Sequence, residues 1–208
     1  MDHLAYLLKQ RVPALFTWVE KVARWAVVFR FGRRIVAARR ESLVEGIIND
    51  KTAQMRALSL GDVSDLKKFL DNLPSDWLTY FRPHSFETKS LNNVVKSRAF
   101  LNYGLFVDGR LQGYALLKIA PTGSAYIGLL VHPNLSGLGL GRFIVDYLYW
   151  QASLAGLRTR STISQSNTAS LYSHRAVSKY EVVADLPNDY VMIEFPFEVR
   201  ARPELKTR

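Results

Sequence analysis

The sequence predicts a mixed α/β fold: a central mixed sheet flanked by helices, preceded by a basic, amphipathic helical extension. Three observations carry this expectation. From about residue 52 onward, strand-like and helix-like stretches alternate. Asp108-Gly109 separates two long apolar runs, a strong hairpin signal because type I′ turns need positive φ at both centres. A turn with three alternating glycines, Gly137, Gly139 and Gly141, joins an apolar strand to a helix.

The chain of 208 residues has room for one ordinary domain and an extension. A hydrophobic fraction of 48%, with 12% aromatics, excludes a disordered polymer. There is no cysteine, which removes disulfide scaffolds, thiolate zinc sites and a cysteine nucleophile together. None of the four histidines is spaced as a metal pair, so no metal is expected.

The net charge of +10 is uneven. Residues 1–40 hold nine Lys/Arg and two acids, whereas residues 41–195 are nearly neutral with fifteen and fourteen. The basic character therefore belongs to the start of the chain, and nucleic acid is not an expected partner. The early uncharged run, residues 12–19, is far below the ~18 apolar residues of a membrane span. Glu20 and Lys21 interrupt any signal-peptide core, and no serine precedes Ser42 as a transit peptide would need. A cytoplasmic location follows as the expectation.

Pro13 suits the first turn of a helix. Leu15, Trp18, Val19, Val22, Ala26 and Phe29 then recur at three- and four-residue steps, with Thr17, Glu20, Lys21 and Arg24 on the other side. Trp25, Val27 and Val28 widen the apolar face, and Arg30, Arg33, Arg34, Arg39 and Arg40 follow. Residues 14–40 thus have the composition of an interfacial helix on an anionic membrane, which would make the protein peripheral. Packing on the globular body, or on a second subunit in a homodimer, explains the same pattern.

Further along, residues 53–58 read as a strand and 63–73 as a helix with Leu66, Phe69 and Leu70 on one face. Residues 75–81 read as a second helix start, closed by Arg82-Pro83. Strands at 103–107 and 111–119 flank the hairpin, and Pro121-Thr122-Gly123 turns into a strand at 126–131. A helix over 141–155, a strand over 158–164, a helix over 167–177, and strands over 180–183 and 189–195 complete the pattern. The division is an extension over 1–50, an α/β domain over 51–197 and a basic tail over 198–208.

The glycine turn carries the chemistry. Without side chains, its backbone can approach a ligand closely, and the amides of the following helical turn favour a pyrophosphate. The spacing matches neither a P-loop nor the dinucleotide fingerprint, so taken alone it marks an anion site or a tight turn before a packed helix.

Val131-His132-Pro133, followed by Gly137-Leu138-Gly139-Leu140-Gly141-Arg142, resembles the acetyl-CoA signature of the GNAT superfamily of N-acetyltransferases. Gly139 and Gly141 match its last two fixed positions, and Ser136 stands where Gln or Arg is usual. The resemblance spans about residues 52–195. It implies a fold in which the fourth and fifth strands splay apart and the pantetheine arm lies between them. It also implies that a backbone N–H near a bulge in the fourth strand, around Leu129, Leu130 and Val131, polarises the thioester carbonyl. An amine then attacks acetyl-CoA directly, with no covalent enzyme intermediate and no metal.

The same resemblance assigns Asn167 to the pantetheine arm. The proton donor to the leaving thiolate falls on His174 by spacing and on Tyr172 by residue type, and the two are only two apart on a helix. For the base, His132 is a candidate alongside water-mediated deprotonation, since no acid occurs from Leu111 to Val131. Arg82 and His84 lie where relatives form the acceptor pocket, and would suit a carboxylate or phosphate there. The implied activity is acetylation of a primary amine on a small molecule, such as an amino sugar or amino-acid derivative. The alternatives are a protein N-terminus or lysine as acceptor, or a silent acyl-CoA-binding module docked through its basic helix.

Overall fold

The computed structural model describes residues 13–206. Helix α1 (Pro13–Arg40) leads, and its second half lies on the sheet. It buries Val27, Phe31, Ile35 and Ala38, a stripe of four- and three-residue steps. Val22 and Phe29 of the expected stripe point the other way and are exposed, as is Trp25. Both flanks of this helix are apolar, so periodicity alone could not decide which one packs. Leu15, Trp18 and Val19 lie outside the residues whose side chains are described.

Strand β1 (Val44–Ile48) follows and pairs antiparallel with β2 (Lys51–Ala57). The sequence reading did not anticipate β1. Its hairpin turns at Asn49-Asp50, both at positive φ (48° and 62°), the geometry of a type I′ turn without the usual glycine. Helix α2 (Val63–Asp71) buries Val63, Leu66, Phe69 and Leu70. The helix expected at 75–81 is only a single 3-10 turn, Ser75–Leu78, between Pro74 and Pro83. The second helix on this side is instead α3 (Thr88–Lys96), which buries Leu91, Val94 and Val95 out of an otherwise polar run.

Strands β3 (Phe100–Val107) and β4 (Arg110–Ile119) form the expected hairpin through Asp108 (φ 46°) and Gly109 (φ 73°). Next come β5 (Ser124–Val131), α4 (Leu140–Leu154), β6 (Arg158–Ser164) and α5 (Thr168–Arg175). Strands β7 (Glu181–Leu186), β8 (Tyr190–Glu194) and the two-residue β9 (Leu205–Lys206) close the chain. The sheet order is β7-β8-β6-β5-β4-β3-β2-β1-β9, with β5–β6 and β1–β9 the parallel pairs.

The sheet has one core on each face. Helices α1 and α4 cover Met55, Tyr103, Leu105 and Leu117, while α2 and α3 cover Phe106, Tyr114, Leu116 and Leu130. Along β5, Ile127, Leu129 and Val131 face the α4 side, as strand alternation requires. The tail runs back over α4, where Arg200 pairs with Asp146 at 2.8 Å, and then reaches β1. A side chain at Gly46 would place its Cβ 2.1 Å from the Leu205 carbonyl oxygen, so glycine is what allows β9 to dock.

Candidate active site

The parallel pair β5–β6 is joined only from Ser124↔Arg158 to Tyr126↔Arg160. Beyond Tyr126 the strands part. The direction of each β5 backbone group is fixed by its neighbours: the Ser124 carbonyl accepts from Ala120, and His132 N–H donates to Gln112 on β4. The Gly123 carbonyl accepts instead from Arg158 on β6. Alternation therefore turns the N–H and C=O of Ile127, Leu129 and Val131 toward the gap left by β6. The intervening residues, Gly128 and Leu130, spend theirs on β4. No bulge interrupts the β4–β5 register, which runs unbroken from Gly113↔Val131 to Ile119↔Ala125. The expected bulge is therefore absent, and the opening comes from divergence of β6 alone.

At the C-terminal end of β5 the chain makes the glycine turn. Gly137 and Gly139 sit at φ 80° and 78°, a region that disfavours side chains, and a Cβ on either would meet nothing within 4 Å. The space above the turn is open. Gly139 caps α4 without any side-chain hydrogen bond, and no acid occupies the first helical turn. The amides of Leu140, Gly141 and Arg142 precede the first intrahelical bond, Phe143 N–H to the Gly139 carbonyl, and so point out of the helix end. This cradle fits a pyrophosphate through backbone donors and helix dipole, with Arg142 exposed beside it. Ser136 and Leu138 flank the glycines, and Ser136 is exposed.

Helix α5 abuts this turn: a Cβ on Gly141 would lie 2.7 Å from Ser173 Oγ. Asn167 caps α5 by accepting from Ser170 N–H at 3.1 Å, which commits its oxygen and leaves its amide nitrogen for a ligand. Tyr172 is 63% exposed, whereas His174 is buried to 1%. His174 stacks on Phe195 at 5.9 Å, and its Nδ1–H donates to the Ser170 carbonyl at 2.8 Å. Burial lowers its pKa to about 4. The ring is neutral at pH 7, with its lone pair on Nε2, which has no described partner.

The link between α2 and α3 spans the gap. Trp77 Nε1–H donates to the Val131 carbonyl at 2.7 Å on the β5 side. On the other side, the Tyr80 hydroxyl meets Ser166 Oγ at 3.1 Å, and Ser166 meets Ser164 Oγ at 2.7 Å. Neither aromatic was anticipated as a site residue. Their placement depends on a 3-10 turn whose direction the sequence does not encode.

Below this strap, His84 Nε2 lies 2.9 Å from the buried Tyr114 hydroxyl, which donates to Asn102 Oδ1 at 2.8 Å. His84 Nδ1 lies 2.9 Å from the Ser85 carbonyl. Burial, reinforced by Lys118, holds the His84 pKa below 6.5. A neutral ring has one N–H for two flanking acceptors, so either Tyr114 turns its proton toward His84 or one acceptor goes unserved. Protonated His84 satisfies both, and Tyr114 keeps its bond to Asn102.

His84 also lines a cavity of about 500 Å³ with Arg24, Ser90, Asn93, Lys118 and Tyr126. From β5 it takes Tyr126, which is still paired with β6, and the rest of its described wall comes from α1, α3, β3, β4 and the turns beside them. Arg82 is exposed and does not line it. His132 lies beyond the end of β5, where its Nδ1 accepts from Asn134 N–H at 3.3 Å and caps a short turn.

Solved structures share this fold. The GNAT domain of a Streptomyces lividans protein, PAT, superposes with a TM-score of 0.64 at 15% identity, covering 74% of this chain and 96% of that one. A putative acetyltransferase from Salmonella typhimurium, yncA, solved with acetyl-CoA, gives 0.58 at 18% identity, covering 74% and 98%. The ribosomal-protein-S5-alanine acetyltransferase of Vibrio fischeri gives 0.61 at 12%, covering 73% and 96%. No curated protein sequence matches. The sequence model of the acetyltransferase (GNAT) family matches residues 67–176, more than half of the chain, from α2 through the glycine turn to the end of α5. The chain belongs to the GNAT family of acetyltransferases.

Proposed function

We propose that the protein moves the acetyl group of acetyl-CoA to the primary amine of a small molecule carrying an anionic group. The observation that carries this reading is the charge of the cavity beside His84 and Tyr126. Lys118 and His84 line it, and among the described residues no carboxylate does. Such a wall accepts a carboxylate or phosphate and would repel a purely cationic amine.

Acetyl-CoA, when bound, supplies an acetyl group activated as a thioester. The chain's own groups do the rest. The amides of Leu140, Gly141 and Arg142 hold the pyrophosphate, and the unpaired edge of Ile127, Leu129 and Val131 aligns the pantetheine arm as an extra strand. The Leu129 N–H points into the gap and stabilises negative charge that develops on an acyl oxygen there. Both His84 ring nitrogens face protein partners, the Ser85 carbonyl and the Tyr114 hydroxyl, so the proton of the attacking amine leaves through water. Tyr172 gives the proton to the departing sulfur. His174 cannot do so, because its only N–H already serves the Ser170 carbonyl.

An acceptor screen that follows release of free CoA tests this. Turnover with amino acids or amino-sugar phosphates, at least ~10-fold above their uncharged analogues, is the expected result. Turnover with peptides alone would move the acceptor to proteins. Tight acetyl-CoA binding without turnover of any amine would make the protein a silent acyl-CoA-binding module.

A further inference from the structure

Helix α1 has two apolar faces, and only one is used by the fold. Val27 and Phe31 are buried to 1% and 6%, whereas Trp25 and Phe29, each two residues away, are 77% and 89% exposed. Two residues are just over half a helical turn, so these rings stand on the side opposite the core. Val22, 47% exposed, extends the same stripe one turn earlier. A side chain as large as tryptophan left this open, next to an equally open phenylalanine, marks a surface that something else covers.

The surroundings of the stripe say what. Arg30, Arg33, Arg34 and Arg40 are exposed on the same helix, and no Asp or Glu occurs between Lys21 and Arg40. A cavity of about 630 Å³ opens beside Phe29, lined by Arg30, Arg33, Arg34 and, from the loop before β3, Arg98. Four guanidinium groups around one hollow are a receptor for phosphate oxygens. The pairing of a protruding aromatic stripe with an arginine-lined hollow fits a surface that is apolar below and anionic above. No helix among the described residues is long and apolar enough to cross a membrane, so the fit is to its surface.

We infer that α1 docks this protein on an anionic lipid bilayer, lying in the interfacial plane. Trp25 and Phe29 enter the acyl boundary, and Arg30, Arg33, Arg34 and Arg98 gather lipid phosphates. The inference is independent of the acetyl-transfer reading, since none of these residues lines the gap between β5 and β6.

The test uses the full chain with phosphatidylcholine vesicles, with and without phosphatidylglycerol. The protein is expected to sediment only with the phosphatidylglycerol vesicles and to be released near ~1 M salt, where the screening length falls to about 3 Å. Trp25→Ser/Phe29→Ser should weaken binding at least ~10-fold, and Arg33→Gln/Arg98→Gln should flatten the salt dependence. All these positions are on the surface, so unchanged melting curves accompany either result. Failure of the wild type to sediment overturns the inference. So does a concentration-dependent dimer in sedimentation velocity that Trp25→Ser/Phe29→Ser abolishes, because a second copy would then cover the stripe.

Discussion

Trp77 and Val131, 54 positions apart, are joined by a single 2.7 Å hydrogen bond from the indole N–H to the strand carbonyl. That carbonyl belongs to the edge of β5 that β6 abandons, so the bond holds the helix-linking turn over the open gap. Trp77→Phe keeps the ring and removes the donor. A neutral hydrogen bond contributes about 0.5–1.5 kcal/mol, which corresponds to a rise of roughly 2–12-fold in KM for acetyl-CoA with little change in kcat. An unaltered KM would show that the strap does not shape the bound state.

Gly139 caps α4 at φ 78° with open space where a Cβ would point. Gly139→Val both strains the turn and fills the space above the helix amides. Calorimetric titration should show acetyl-CoA binding abolished in a protein that still melts cooperatively. Wild-type affinity in that variant would remove the glycine turn from the cofactor site.

Tyr172 is exposed and precedes Ser173, the α5 residue that abuts Gly141. Tyr172→Phe should lower kcat by at least ~10²-fold, with acetyl-CoA affinity nearly unchanged. His174→Gln should do less. The reverse order in steady-state kinetics would return the proton to His174, and normal rates for both would assign it to solvent.

His174 makes a separate, thermodynamic prediction. Its folded pKa of about 4 lies below the ordinary 6.5, so the unfolded chain binds more protons between these values. Its stabilising contribution is complete above pH 6.5 and is lost as the pH falls toward 4. A gap of this size corresponds to about 3 kcal/mol. Urea titrations of the wild type should lose stability over that window more steeply than those of His174→Gln, and parallel losses would contradict the burial of the ring.

His84 braces the cavity wall through the Ser85 carbonyl and the Tyr114 hydroxyl. Because burial holds its pKa below 6.5, the unfolded chain takes up this proton more readily, and the fold should lose stability as the pH drops beneath that value. His84→Gln should remove part of that loss in urea titrations. An unchanged loss would assign it to another buried group.

Local signals in the sequence gave the hairpin at Asp108-Gly109, the glycine turn, and the alternation of strand and helix after residue 100. They are local because each depends on a few adjacent residues. Strand β1 escaped notice because Asn49-Asp50 makes its turn without glycine, and α3 because its three buried residues sit in a polar run. At the site, spacing points to His174 and residue type to Tyr172, and no local signal shows that the first is buried and the second exposed. Trp77, Tyr80, Tyr114 and Asn102 carried no signal at all. They meet their partners across 54, 86, 30 and 12 positions, and chemistry created by folding at long range has no local pattern.

The docking of Leu205 against Gly46 also bears on the order in which the molecule assembles. Arg202 reinforces it by donating to the Leu43 carbonyl, 159 positions away. During synthesis β1 emerges early, yet its outer edge cannot be covered until the residues around 205 have left the ribosome. For that interval the nascent chain carries an open strand edge whose Gly46 offers no side chain to deflect another strand. Chaperone dependence and aggregation in the cell should therefore track the speed of the last stage of translation, even for variants whose finished fold is as stable as the original.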